Sequence, residues 1–218
     1  NLRQTKLRKT LAFDLFELAR TRSPYKTCHN VAIALDRVKE SPFHQRIKRL
    51  GGATPGRERE TLTQSTVVDA LVGYISSQPK IDRDQLLRGQ ELPLADTDTL
   101  SKFCLRNLFI KGEDVTIARL VQNYFDAVRT RWPTAWDDFG QGAMLNKTNG
   151  FKALMGIFGR VYTYVTAPGN MVPTNRFLQV FERTNLKDAD FNTDNFKPGT
   201  SGEAKLRNEL LAQLDIPT

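Results

Sequence analysis

The chain has 218 residues, of which 39% are hydrophobic and 26% are charged, and its formal net charge is +8. This composition excludes a disordered or collagen-like chain, and the length fits one domain with a core of its own. No apolar run reaches the ~18 residues that a membrane helix needs, so we predict no membrane association.

The start of the sequence and the two cysteines indicate the cellular compartment of the protein. The sequence does not begin with Met and shows no signal peptide, so we expect a cytoplasmic protein, here as a domain or a fragment over residues 1–218. Cys28 and Cys104 do not make a disulfide framework, and we predict that both are reduced thiols.

Apolar residues at helical spacing follow one another along the chain and predict eight helices. The helix over residues 151–165 carries the strongest stripe, and Asp114 is the predicted N-cap of the helix over residues 117–128. Ser201 is predicted to open the last helix. The predicted helices cover about residues 5–20, 28–39, 67–75, 100–108, 117–128, 151–165, 177–181 and 206–214.

The segments between these helices predict little regular structure. The side chains of residues 43–50 alternate between two sets, which is weak evidence for a strand. Residues 51–60 are predicted to form a polar loop with Gly and Pro, and residues 76–99 a long surface connection. The fold class predicted is therefore mainly α, an irregular multi-helix domain with at most a small β-hairpin around residues 43–63. Gly150, Gly156 and Gly159 lie in or beside one helix and predict close packing there.

The usual catalytic constellations are missing from the sequence. Only His29 and His44 offer imidazoles, and neither they nor the cysteines have zinc-ligand spacing, so we predict no metal and no cofactor. The glycines of residues 51–57 have phosphate-loop spacing but lack the Lys-Ser/Thr pair, and a mobile loop is the simpler interpretation. Asp137 and Asp138 are predicted to cap or solvate a turn. The catalytic residues, if there are any, stay unknown.

Positive charge is concentrated near the start of the chain. Residues 1–60 hold 14 Lys and Arg against 6 Asp and Glu, whereas residues 61–218 hold 18 of each. Such asymmetry indicates an anionic partner, of which nucleic acid is the commonest; a solvated basic face or a patch covered by an acidic segment remain alternatives. Two clusters are the predicted nucleic-acid-binding residues: Arg3, Lys6, Arg8 and Lys9, and then Arg46, Lys48 and Arg49. The cations of the first cluster lie at the N-terminus of the first predicted helix, where the helix dipole disfavours positive charge. A bound phosphate would offset this unfavourable interaction.

Several stretches resemble the family of DGQHR-domain, DndB-like proteins. They run in the family's order, and the resemblance covers about residues 1–215. The matching stretches are N-L-R-Q-T-K at residues 1–6 running into T-L-A-F-D-L at 10–15, S-P-F-H-Q-R-I-K at 41–48 with L-G at 50–51, L-T-Q-S-T-V-V-D-A-L at 62–71, L-N-K-T-N-G-F at 145–151 and S-G at 201–202. The DGQHR pentapeptide itself is absent, so the chain resembles the portion downstream of that motif.

The resemblance implies an N-terminal part of ParB/sulfiredoxin fold upstream of a helical C-terminal part. Its site would be incomplete in this chain, with Asn1, Gln4 and Lys147 as possible neighbours. The resemblance also implies a link to DNA modification or DNA-based defence, with a missing N-terminal segment or another protein of such a system as partner.

The function predicted is a DNA-associated module that binds or regulates DNA through its basic N-terminal quarter. One alternative is the supporting helical part of a nucleotide-dependent or nuclease-type enzyme whose catalytic motif lies in the missing half. Another is a protein-interaction scaffold, which would expose a large apolar patch.

Overall fold

The structure, a computed structural model, describes residues 21–49 and 53–216. This part of the chain is mainly helical, which confirms the predicted fold class at that level, while the predicted helix at 5–20 lies outside the described residues. A 3₁₀ turn spans Asp188–Asp190. The α-helices described are α1 (Pro24–Arg37), α2 (Gln64–Val72), α3 (Pro79–Leu87), α4 (Thr97–Lys102), α5 (Arg106–Lys111), α6 (Asp114–Arg131), α7 (Pro133–Asp137), α8 (Thr148–Val165), α9 (Thr174–Phe181) and α10 (Thr200–Leu214).

Helices α6 and α8 form the centre of the core, and both follow from their apolar stripes. Tyr124 on α6 is fully buried, and its hydroxyl donates to the carbonyl of Leu154 on α8 at 2.8 Å. The rings of Phe125 and Phe151 stack with centroids 5.3 Å apart. Helix α9 packs on α6, α10 packs on α8, and α1 packs on both α2 and α6, so one continuous core holds the described elements together.

The start of α6 differs from the prediction, because Asp114 is not an N-cap. Asp114 is the first residue of the helix, and Glu113 occupies the cap position without a side-chain cap. The Asp114 carboxylate instead accepts hydrogen bonds from Thr27 Oγ1 at 3.0 Å and from Arg22 Nη2 at 3.1 Å. It therefore ties the start of α6 to the start of α1. Ser201 also lies inside its helix, which Gly199 caps with a left-handed φ of 103°.

Residues 76–99 were predicted as a connection, but they contain helix α3. Of its apolar residues, Ile81 and Leu87 are 52% and 58% exposed and Leu86 is only partly buried, so no apolar stripe marks the helix. Asp82 docks the helix instead: its carboxylate accepts two hydrogen bonds from the Arg106 guanidinium, at 2.8 and 3.2 Å. The predicted helix at 100–108 is also two helices, because the chain turns where Leu105 N–H bonds the carbonyl of Tyr74.

The small sheet lies where a hairpin was predicted, but the hairpin is wrong because the strands are parallel. Strand β1 (Ile47–Lys48) pairs with β2 (Leu62–Thr63), with Ile47 opposite Leu62. The connecting segment is long enough to bring the chain back to the same end of the pair, whereas a tight turn would force antiparallel pairing. The segment that returns carries the Arg-rich residues 57–59 beside the turn that precedes β1.

The prediction of close packing at the glycines of α8 is confirmed. A Cβ at Gly150 would lie 2.3 Å from the carbonyl oxygen of Leu145, so the loop before α8 sits directly against its first turn. At Gly159 the Cβ would lie 2.6 Å from the ring of Tyr74. These contacts fix where α8 begins and how closely α2 approaches it.

Candidate nucleic-acid interface

A polar cleft of about 370 Å³ lies between the turn before β1 and the loop before β2. The turn contributes residues 44–46 and the loop contributes residues 56–59. The lining residues include one imidazole and three guanidinium groups: His44, Gln45, Arg46, Gly56, Arg57, Glu58 and Arg59. All of them come from the first 60 residues, where the sequence concentrates its positive charge.

The turn side of the cleft is held by local hydrogen bonds and by a buried ring. Ser41 Oγ accepts a hydrogen bond from Phe43 N–H at 3.1 Å, and Phe43 is 1% exposed within the aromatic core. Gln45 has a left-handed φ of 57°, and its N–H donates to the carbonyl of Asp36 at 3.0 Å. Because non-glycine residues seldom adopt this conformation, the turn is constrained to present His44 and Arg46 in one arrangement.

Arg57 holds the loop side of the cleft in place through two buried carboxylates. Its Nη1 lies 2.8 Å from Oδ2 of Asp36 and 3.6 Å from Oε1 of Glu60, and both carboxylate side chains are 1% exposed. Asp36 Oδ1 also accepts the Ile47 N–H at 3.1 Å. The hydrogen bond to Asp36 raises the pKa of Arg57, which keeps the guanidinium charged. Arg57 therefore joins the loop to α1, and Asp36 joins α1 to β1.

Arg46 is held by residues that follow α6. Its guanidinium donates to the carbonyl of Trp136 at 3.2 Å and to Oδ1 of Asp137 at 2.6 Å, and its side chain is 13% exposed. It also lies 4.8 Å from the centre of the Phe139 ring. Asp137 balances its charge, so Arg46 shapes the cleft more than it adds positive potential.

Arg59 differs from the other two arginines. It is exposed, and it lies 5.1 Å from the centre of the same Phe139 ring. Within the part of the chain that the structure describes, it forms no ion pair with an acidic side chain. His44 Nδ1 is buried and accepts or donates no hydrogen bond to any described group. Among the described residues, Arg59 is thus the cleft arginine without an acidic partner.

The structure separates the residues predicted as binding sites. Arg3, Lys6, Arg8, Lys9, Asn1 and Gln4 lie outside the described residues. Arg46 lines the cleft, Lys48 lies on β1 and Arg49 follows it, both half-buried. Lys147 lines a different cavity and donates to the carbonyl of Gly140 at 2.9 Å.

Sequence reasoning missed Arg57, Arg59 and Phe139 as parts of one site. The alternating R-E-R-E run at residues 57–60 was a usable signal, since it marks a charged loop edge. Phe139 gave no signal, because only the fold brings it to the two arginines. Asp138, predicted to stabilise a turn, does so by accepting the Gly140 N–H at 2.8 Å, while Asp137 binds Arg46.

Comparison with protein-family models, with curated proteins and with solved structures finds no match to this chain. None of the helices described combines the length and hydrophobicity that crossing a bilayer requires. Over residues 21–49 and 53–216, no three His, Cys, Asp or Glu side chains are grouped so that they could hold a metal ion.

Proposed function

We propose that this chain is a DNA-associated module of a DGQHR-like protein linked to DNA modification or defence, and that it binds the phosphate backbone. The observation that carries the proposal is the cleft beside Phe139, where Arg59 and His44 have no acidic partner in the described part of the chain. The resemblance of residues 1–215 to that family supplies the biological context.

Arginine suits this task because its planar guanidinium can donate two parallel hydrogen bonds to a phosphate. The guanidinium of Arg59 lies against one aromatic ring, and this cation–π attraction favours its position beside the cleft. Arg57 uses Nη1 for both of its carboxylate partners, so its other donors remain for a ligand above the cleft.

The cleft alone does not supply strong electrostatic attraction. Asp36 and Glu60 offset Arg57, Asp137 offsets Arg46, and Glu58 lies on the rim. We therefore assign the cleft one phosphate contact, and we assign most of the sequence-independent attraction to the basic cluster of residues 3–9. Contacts of this kind position a protein on DNA without reading its sequence.

The experiment compares Arg59→Ala with Arg183→Ala in a titration of labelled duplex DNA. Arg183 is a matched control, because it is also exposed and lies 5.0 Å from the centre of an aromatic ring, that of Tyr164, outside the cleft. Loss of one charge-assisted contact should weaken binding by about 10- to 100-fold for Arg59→Ala. Arg183→Ala should bind as the parent does. Equal effects of the two substitutions would contradict a role for the cleft.

A further inference from the structure

We propose that an unpaired DNA base stacks on the guanidinium group of Arg59, so that the cleft beside Phe139 recognises single-stranded DNA by its bases as well as by its backbone. This inference rests on the proposed DNA-binding function and names what the cleft binds besides a phosphate. The volume of the cleft, about 370 Å³, is within the range of sites that bind small molecules, so it has room for a single base.

Phe139 gives the cleft an aromatic surface that the fold holds in place. The carbonyl of Asp138, on one side of it in the chain, accepts a hydrogen bond from Nδ2 of the buried Asn146 at 2.8 Å. The carbonyl of Gly140, on the other side, accepts one from Lys147 Nζ at 2.9 Å. The backbone is therefore fixed on both sides of the ring, and no ligand is needed to position it.

Two arginines lie over this ring, and they differ in what else they contact. The Arg46 guanidinium, 4.8 Å from the ring centre, is paired with Asp137, and its side chain is only 13% exposed. Arg59 Cζ lies 5.1 Å from the ring centre, but Arg59 is exposed and has no acidic partner among the described residues. A guanidinium group is planar, and one ring can occupy only one of its two faces. Arg59 therefore has a face available to a second flat group.

An unpaired nucleobase is a flat group of the kind that suits this face. Unpaired bases stack on arginine planes as well as on aromatic rings, and every base has a π-face, so such stacking does not depend on sequence. A base inside a duplex already stacks on its neighbours and does not offer a face. The N–H groups at the edge of the same guanidinium can still donate to a phosphate, so Arg59 can make both contacts with one nucleotide strand.

The test is an anisotropy titration of the 218-residue chain with two labelled strands of 12 nucleotides. One strand consists of thymidines, and in the other every base is replaced by an abasic spacer. Both strands carry the same number of phosphates, so their electrostatic attraction to the protein is matched. We expect the thymidine strand to bind about tenfold more tightly than the abasic strand, because stacking requires the base.

Variants locate the stacking contact. Arg59→Lys retains the positive charge but has no planar group, so it should bind the two strands with equal affinity. Phe139→Leu removes the ring beside Arg59 and should also lose most of the difference. Arg183→Lys is the matched control, because Arg183 lies 5.0 Å from the centre of the Tyr164 ring outside the cleft, and it should keep the tenfold difference. The inference is overturned if the parent binds both strands equally, if Arg59→Lys or Phe139→Leu keeps the full difference, or if Arg183→Lys loses it as well.

Failure of this inference and failure of the proposed function give different results. If the parent binds both strands equally but Arg59→Ala weakens duplex binding, the phosphate contact is retained and the stacking is refuted. If Arg59→Ala binds duplex DNA as the parent does, while Arg59→Lys loses the preference for the thymidine strand, the stacking is retained and the contact with duplex DNA is refuted.

Discussion

Two glycines of α8 predict opposite outcomes for the same substitution to alanine. A Cβ at Gly159 would lie 2.6 Å from Cε1 of Tyr74, and one at Gly156 would lie 2.8 Å from Cδ of Arg207. Both distances are too short for a real contact, so a neighbour must move in each variant. The difference lies in which neighbour moves and how firmly it is held.

The Tyr74 ring is fixed, whereas the Arg207 side chain is a flexible stem. The Tyr74 hydroxyl donates to the carbonyl of Met155, and its ring meets Phe158 edge-on with centroids 5.3 Å apart. Alanine gains about 1 kcal/mol over glycine inside a helix, and overpacking against a fixed group costs about 1–3 kcal/mol. Gly156→Ala should therefore stabilise the protein by up to ~1 kcal/mol, because Arg207 rotates away at little cost.

Gly159→Ala should be less stable than Gly156→Ala by about 1–3 kcal/mol. Urea unfolding followed by circular dichroism measures both free energies of unfolding, with equal m-values as the control for an unchanged unfolded state. If the free energies of unfolding of the two variants agree within about 0.5 kcal/mol, the close packing of Tyr74 on α8 is not what requires a glycine at position 159.

Two other predictions concern the cysteines and the N-terminal cluster. Burial raises the pKa of the Cys104 thiol to about 12 and also raises the pKa of Cys28. Above about pH 8.5, both thiols therefore stay protonated in the folded protein, whereas the thiols of the unfolded chain lose their protons. The free energy of unfolding should then fall between pH 8.5 and 10, approaching about 1.4 kcal/mol per pH unit for each thiol, and Cys104→Ala should reduce that slope. Replacing Lys6, Arg8 and Lys9 together by Ala should weaken DNA binding about equally for all sequences, as anisotropy titrations with unrelated duplexes can show, and leave the melting temperature nearly unchanged.

Apolar periodicity predicted the fold wherever a helix buries a continuous stripe. The stripes of residues 117–128 and 151–165 became α6 and α8, which form the core. The same reasoning failed at α3, because that helix docks through Asp82 and Arg106 and exposes two of its apolar side chains, Ile81 and Leu87. An ion pair between residues this far apart along the chain leaves no periodic signal.

The candidate site was predictable only in part. Charge along the sequence pointed to residues 1–60, and Arg46 does line the cleft. Which arginines are balanced depends on partners brought together by folding: Asp137 for Arg46, and the buried Asp36 for Arg57. Only after those pairs are known can Arg59 be recognised as the cleft arginine without an acidic partner among the described residues.

The salt dependence of DNA binding tests the central claim most directly. When duplex DNA is titrated at several salt concentrations, the logarithm of the binding constant falls linearly with the logarithm of the salt concentration. The magnitude of this slope is about 0.9 for each phosphate contact. The account predicts a steep slope for the parent chain, a slope smaller by about 0.9 for Arg59→Ala, and a parental slope for Arg183→Ala. Binding that does not change with salt, or a chain that does not bind duplex DNA at low salt, would contradict it.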